Sequence, residues 1–121
     1  MLRHELLSDR EILILKPDGA LRAEDFTALA SAVDPYIEQN GKLNGLMIEA
    51  LSFPGWENFA ALLSHLRFVR DHHRKIERIA IVTDSALLAA APKIASHFVS
   101  AKLRTFEPAA RAEALAWLEG G

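Results

Sequence analysis

Short apolar runs alternate along the chain with longer stretches of helical periodicity. A weak run at 2–7 and stronger runs at 11–16, 43–50, 78–82 and 102–106 predict about five strands. Between them, apolar residues recur three and four positions apart, which is typical of amphipathic helices. Buried parallel strands read as continuous apolar runs and need crossover helices. The pattern therefore predicts one α/β domain over residues 1–121, with a mixed sheet and flanking helices.

Turn residues separate the first elements. Residues 8–10 (Ser-Asp-Arg) predict a tight turn and an N-terminal hairpin. Residues 17–19 (Pro-Asp-Gly) predict a second turn, after which a helix is expected to begin near Ala23. Residues 40–41 (Asn-Gly) predict the end of that helix. Pro35 lies inside the helix and is expected to kink or split it.

Three further helices are predicted from spacing and capping residues. In the helix after Trp56, six residues are expected to lie on one side: Phe59, Leu62, Leu63, Leu66, Val69 and Arg70. The next is expected to begin at Asp84 or Ser85 and to bend or restart near Ala91, because Pro92 interrupts it. In the last, Pro108 suits the first turn. Its inward residues are expected to be Ala112, Leu115, Ala116 and Leu118.

Composition narrows the class of protein. A chain of 121 residues with 50% hydrophobic content can bury one core. The formal net charge of -2 gives no electrostatic attraction to nucleic acid, so no nucleic-acid partner is expected. The chain has no cysteine, which excludes disulfides and cysteine nucleophiles. No apolar run approaches the ~20 residues that span a bilayer, so a cytoplasmic protein is expected.

Several local strings form a recognisable set. They are residues 77–84, residues 106–107, residues 113–118 and the Gly55-Trp56 pair that opens the long helix. As a set they resemble the SpoIIAA-like family, whose members share the STAS/CRAL-TRIO-type fold. The resemblance implies a mixed sheet with packed helices and no established enzymatic activity. It also implies two themes: phosphorylation-switched binding, as in anti-sigma-factor antagonists, and apolar-ligand binding, as in Sec14-like relatives.

The loop before the long helix bears on the first theme. In the antagonists this loop is Asp-Ser-Ser-Gly-like, and a phosphoserine there adds about -2 charge beside the positive helix end. Here it reads Ser52-Phe53-Pro54-Gly55-Trp56, without the Asp-Ser pair. Ser52 is its only hydroxyl, and a turn residue bonding to the backbone is the plainer interpretation. The resemblance and the altered loop predict a non-enzymatic regulatory or protein-interaction module without the phosphorylation switch.

The alternative function is an apolar small-molecule or lipid-binding protein of Sec14-like type. Phe53, Trp56 and Phe59 lie in and after the same loop. They are candidates for an aromatic-lined mouth, since such sites are mostly apolar with few polar groups. Two other interpretations stay open. Trp56 and Phe59 can pack the helix onto the sheet, which is the commoner use of aromatics in a small core. An exposed Phe53 and Trp56 can form a dimer contact.

Polar residues near the carboxyl ends of two predicted strands form a second candidate site, because ligands bind there in open α/β sheets. They are Glu49, Ser52, Asp84 and Ser85. No nucleophile has an adjacent base in the sequence, and there is no Gly-x-Ser-x-Gly or glycine-rich phosphate loop. The sequence therefore predicts no catalytic residue and no cofactor.

Two histidines on the long helix are candidate metal ligands. His65 and His72 lie on one face with Phe68 between them, but they are ~10 Å apart along the axis. That separation is too large for one ion with Zn–N bonds of about 2 Å. No metal site is predicted.

Basic residues cluster toward the end of the same helix. They are Arg67, Arg70, Arg74 and Lys75. One interpretation is a salt-sensitive contact with an acidic partner or an anionic membrane surface. The other is that the cations complement the helix dipole. An exposed edge strand at 2–7 also leaves a homodimer open.

Overall fold

A five-stranded mixed sheet forms the centre of the fold. The computed structural model describes residues 2–52 and 54–120. The strands lie in sequential order: β1 (Leu2–Leu7), β2 (Ile12–Pro17), β3 (Leu43–Glu49), β4 (Ile76–Val82) and β5 (Lys102–Phe106). β1 is antiparallel to β2, and every later pair of neighbours is parallel. The predicted α/β class and mixed sheet are confirmed.

Helices make each connection between the parallel strands. They are α1 (Ala23–Asn40), α2 (Phe59–His72) with a 3-10 turn (His73–Lys75), and the short α3 (Ala86–Ala89) and α4 (Ala91–Ala95). A second 3-10 turn (Pro108–Ala110) leads into α5 (Arg111–Leu118) after β5. No helix among the described residues is long and apolar enough to cross a membrane.

The two faces of the sheet bury different sets of side chains. The face toward α1–α4 is packed by residues that include Leu13, Leu29, Val33, Leu46 and Ile79. The face toward α5 is packed by residues that include Ile14, Met47, Ala80, Ala114 and Leu118. All crossover helices therefore lie on one face. Of the described helices, α5 is the one that covers the other face.

The first turns follow the prediction with one shift. The N-terminal hairpin is confirmed, and the Arg10 N–H donates to the Leu7 carbonyl at 3.1 Å. Glu11 adopts the left-handed conformation (φ 58°), so β2 begins at Ile12 instead of Glu11. Gly41 ends α1 with φ 88°, a conformation that glycine adopts without steric cost.

Helix α1 runs unbroken through Pro35, so the expected split does not occur. Proline removes one backbone hydrogen bond and crowds the preceding turn. The buried stripe of α1 nevertheless continues on both sides of it, from Leu29 to Val33 and Ile37. Packing of this stripe on the sheet holds the helix together across the proline.

The apolar side predicted for α2 is not the side that the helix buries most deeply. Phe59 and Leu66 are exposed, at 69% and 56% of their surface. The buried residues are Ala61 and His72, and Phe68 is half-buried between the helices and the sheet. The interpretation that Phe59 packs the helix onto the sheet is therefore wrong.

The last helices follow most of the predicted signals. Ser85 caps α3, because its Oγ accepts the Leu88 N–H at 3.4 Å, and a new helix starts at Ala91 as expected from Pro92. Helix α5 buries Leu118 as predicted. Its second buried residue is Ala114, whereas the predicted Ala112 and Ala116 are exposed.

Gly45 marks the closest approach of α5 to the sheet. A Cβ atom at this position would lie 2.7 Å from the Leu118 Cβ and 2.8 Å from its Cδ2. Carbon atoms attract at about 3.5–4.0 Å, so this space is already filled. Gly45 therefore lets α5 pack directly against the backbone of β3.

Candidate functional site

A cavity of about 300 Å³ lies between the sheet and helices α1–α4. Strand residues such as Leu15, Leu46 and Ile79 line it on the sheet side, and Phe26 and Phe68 line it on the helix side. None of the described lining residues is Asp, Glu, Lys or Arg. Such sites take up apolar molecules and orient them through a few polar groups.

The loop before α2 brings Trp56 to this cavity. The Leu21 N–H donates to the Gly55 carbonyl at 2.9 Å, and the Glu57 N–H donates to the Leu21 carbonyl at 2.8 Å. These bonds flank a parallel bridge between Leu21 and Trp56. The Trp56 indole then lines the cavity, and its Nε1–H donates to His65 Nδ1 at 3.1 Å. Of the predicted aromatic residues that the structure describes, Trp56 lines this apolar cavity and Phe59 is exposed.

His65 supplies the cavity with one polar edge. Its ring stacks on Phe26, with 4.8 Å between centroids, and burial lowers the pKa of the His65 imidazole. Because an indole N–H can only donate, Nδ1 accepts and the proton of the neutral ring is on Nε2. Nε2 has no hydrogen-bond partner among the described residues. Every fully buried side-chain polar atom among the described residues has a hydrogen-bond partner. Nε2 has none, so it is not fully buried and is accessible to a small molecule.

His72 joins α1 to α2 at the cavity wall. Its Nδ1 lies 2.7 Å from the Phe68 carbonyl, and its Nε2 lies 2.5 Å from Asp34 Oδ1. A carbonyl only accepts, so Nδ1 is protonated, and the bond to Asp34 requires one more proton on either group. The polar atoms of this buried ring are thus satisfied within the protein.

His73 also lines the cavity, at the C-terminal end of α2. Its Nδ1 accepts the Ser100 N–H at 3.0 Å, in an exposed contact. His73 lies about 12 Å from His65 along the helix axis, at 1.5 Å per residue. The two rings therefore occupy different parts of the cavity wall.

The segment that contains α3 and α4 is apolar on both sides. Its inner side lines the cavity through Leu88, Ala91, Ala95 and Val99. Its outer side exposes Leu87, Ile94 and Phe98 by 65%, 69% and 75%. A single layer of chain thus separates the cavity from an exposed apolar surface.

The predicted polar site does not converge on one point. Glu49 and Ser52 line a crevice of about 650 Å³ at the carboxyl ends of β2 and β3, together with Lys16. Arg111 donates to both Glu49 carboxylate oxygens, at 2.9 and 3.0 Å, and Glu49 in turn raises the pKa of Arg111. Lys16 Nζ lies 3.9 Å from the same carboxylate. Glu49 is therefore engaged in ion pairs, one of which attaches α5 to the sheet.

The other predicted polar residues lie outside that arrangement. Asp84 is exposed, and Ser85 serves as a helix cap. Ser52 is exposed, and its side chain makes no hydrogen bond within the described residues, so the expected bond to the backbone is not seen. Phe53 lies outside the described residues. Among residues 2–52 and 54–120, no three His, Cys, Asp or Glu side chains are grouped so that they could hold a metal ion.

The predicted basic patch lies on exposed surface. Its members Arg67, Arg70, Arg74 and Lys75 are all solvent-accessible. Arg70 Nε donates to Asp71 at 2.9 Å, which raises the pKa of Arg70 and lowers that of Asp71. Arg67 lines a groove between α1 and α2 that also contains Asp34 and Asp71. Acidic groups thus partly offset the patch, and its contact with a partner or membrane stays a prediction.

The sequence indicated some of these contacts and concealed others. The spacing of His65, Phe68 and His72 placed them on one face, which was the correct inward face of α2. Their partners could not be read from spacing, because Asp34 is 38 residues from His72 and Trp56 reaches His65 through an irregular loop. The Arg111–Glu49 pair spans 62 residues and carries no local signal.

Comparisons with known proteins agree with the fold. A family model described as SpoIIAA-like matches residues 12–119. The chain is also similar to an uncharacterised protein of the DUF3478 family from Shewanella loihica PV-4, whose crystal structure has a SpoIIAA-like fold. The TM-score is 0.73 at 22% identity, covering 98% of this chain and 92% of that one. At this identity the likeness shows the fold. A search of curated proteins finds no match.

Proposed function

Because the chain belongs to the SpoIIAA-like family, we propose that it is a non-enzymatic binding module whose ligand is a small apolar molecule. The observation that supports this function is the cavity of about 300 Å³, whose described lining has no charged residue. It favours the alternative predicted from the sequence over the regulatory or protein-interaction role. The polar residues at the strand ends support a non-enzymatic role, since Glu49 is ion-paired and Ser85 caps a helix.

Bound ligand is the direct test. The protein is purified without organic solvent and its mass is measured under native and denaturing conditions. A native species heavier than the denatured chain, together with an apolar molecule in the extract, is the expected result. Protein that carries no added mass and binds no added apolar probe would contradict the proposal.

Two matched variants locate the ligand. Ala95 lines the cavity from α4, and Ala95→Phe would fill part of its volume. Ala116 is exposed on α5, on the opposite face of the sheet, so Ala116→Phe is the control. Loss of bound mass in Ala95→Phe alone is expected. Equal retention in both variants would place the ligand elsewhere.

Protein interaction is the second candidate, and the exposed surface of Leu87, Ile94 and Phe98 favours it. Large exposed apolar side chains on one short segment are candidates for a protein contact. A second copy of the chain is the simplest partner to test, by sedimentation velocity over a range of concentrations. Wild-type dimers that Phe98→Ser dissociates would support this surface, and a monomer at every concentration would remove the homodimer.

The absence of cysteine supports a cytoplasmic location.

A further inference from the structure

We propose that the cavity selects an uncharged molecule of about a dozen non-hydrogen atoms with one hydrogen-bond acceptor, which the His65 Nε2–H binds. This inference rests on the proposed function. It adds the size of the ligand, its charge and the side chain that orients it.

The size follows from the cavity volume. An engineered cavity of about 150 Å³ holds benzene, which has six carbon atoms. The cavity here has about twice that volume, at roughly 300 Å³. It therefore accommodates a medium-chain or bicyclic molecule, whereas a phospholipid with two acyl chains is far too large.

The acceptor follows from the tautomer of His65. Trp56 donates to Nδ1 at 3.1 Å, so the proton of the neutral ring is on Nε2. This N–H is accessible and has no partner among the described residues. A carbonyl, ester or hydroxyl oxygen on the ligand satisfies it, and a pure hydrocarbon leaves it unpaired.

The absence of charge follows from the lining. The described residues around the cavity include no lysine or arginine, and the His72 ring already uses both nitrogens within the protein. Burial disfavours a positive charge on His65 by lowering its pKa. A carboxylate ligand would lose its hydration without meeting a cation that is free to pair with it, which is strongly unfavourable.

His73 is the competing donor. Its Nδ1 accepts from Ser100, which leaves its Nε2–H without a partner among the described residues, as in His65. The contact with Ser100 is exposed, however, whereas the contact between Trp56 and His65 is partly buried. A ring whose neighbouring contact is exposed meets water more readily, and a donor that exchanges a bond to water for a bond to the ligand adds little affinity. This difference assigns the role to His65.

Three matched probes test the inference: 2-acetonaphthone, 2-ethylnaphthalene and 2-naphthoate. They share a bicyclic ring and differ in carrying a neutral acceptor, no acceptor or a carboxylate. Each probe is titrated into the labelled full chain, and the change in amide chemical shifts gives its Kd. The ketone is expected to bind roughly 3- to 10-fold more tightly than the hydrocarbon, the range that one net hydrogen bond supplies. The carboxylate is expected to bind least tightly.

Variants then identify the donor. His65→Phe should abolish the preference for the ketone and leave the affinity of the hydrocarbon unchanged. His65→Gln keeps an N–H donor and should retain part of the preference. His73→Gln is the matched control and should behave like wild type. Because the three probes already discriminate in the wild type, the test holds even if His65→Phe does not fold.

The outcomes separate this inference from the proposed function. Tighter binding of 2-naphthoate than of the ketone would overturn the inference, as would loss of the preference in His73→Gln with His65→Phe unaffected. Equal affinities for ketone and hydrocarbon would remove the His65 contact and leave the apolar cavity intact. Binding of none of the three probes would overturn the proposed function together with the inference.

Discussion

Replacing Gly45 with alanine is expected to lower the free energy of unfolding by about 1–3 kcal/mol, the usual cost of overpacking a core. The new Cβ would lie 2.7 Å from the Leu118 Cβ. That atom is attached to the helix backbone, so no change of rotamer removes the overlap, and α5 has to move away from β3. In an uncrowded strand alanine is favoured over glycine by about 0.5–1 kcal/mol. The sign of the change in the free energy of unfolding therefore shows whether α5 can move away from β3 without loss of packing.

Urea unfolding of a double-mutant cycle measures this contact. Leu118→Ala alone is expected to cost about 2–5 kcal/mol, because Leu118 is buried to 1% exposure. It leaves a Cβ atom at position 118 in place but removes the Cγ and Cδ2 atoms that also crowd position 45, at 3.1 and 2.8 Å, so it relieves part of the overlap. The double variant should therefore be more stable than the sum of the single changes by about 0.5–3 kcal/mol.

Asn44→Ala is the control for this cycle, since the Asn44 side chain makes no hydrogen bond within the described residues and it neighbours Gly45. It is expected to change the free energy of unfolding little and to be additive with Leu118→Ala. A Gly45→Ala protein as stable as wild type would refute the argument that α5 and β3 are in contact at their closest approach. Strict additivity in the cycle would show that the Leu118 Cγ and Cδ2 atoms add nothing to the overlap.

Three other perturbations have defined outcomes. Asp34→Ala should lower the free energy of unfolding by about 1–3 kcal/mol in urea titrations, because the buried His72 loses the partner of its Nε2. Arg111→Ala should cost up to about 1 kcal/mol, and less in high salt, because the pair with Glu49 is partly exposed. Acidifying from pH 7 to 5 should lower the Tm of wild type more than that of His65→Phe. Burial lowers the pKa of the imidazole, so below about pH 6.5 the unfolded chain binds a proton that the folded protein excludes.

Each of these outcomes has a clear opposite. An Asp34→Ala protein with wild-type stability would show that His72 finds another partner, such as water. A loss in Arg111→Ala that is unaffected by salt would indicate lost packing instead of lost charge. Parallel Tm curves for wild type and His65→Phe would show that His65 titrates in the folded protein as it does in the unfolded chain.

The strands and caps could be predicted because their signals are local. The bounds predicted for β1 and β5 agree with the observed strands Leu2–Leu7 and Lys102–Phe106. Both are short apolar or alternating runs between turn residues. Ser85 and Pro92 likewise act within their own turn, one by accepting an amide hydrogen bond and the other by interrupting the helix.

The orientation of α2 could not be predicted because two local rules conflict there. Leu62, Leu63 and Leu66 favour one face by hydropathy, whereas the face that turns inward carries two histidines. Histidine can be buried when its nitrogens find partners, and Trp56 and Asp34 supply them from distant positions. The cavity was also hidden, since its lining residues have the same sequence pattern as a filled core.

The placement of α5 has a consequence for synthesis on the ribosome. Strands β2 and β3 emerge early, and chains fold in order of synthesis at about 5–20 residues per second. The face that carries Ile14 and Met47 meets its covering helix only when residues 111–118 have been made. Until then a nascent chain exposes one side of an apolar sheet, which is a binding surface for chaperones. The half of the core on that side therefore cannot be complete until α5 docks.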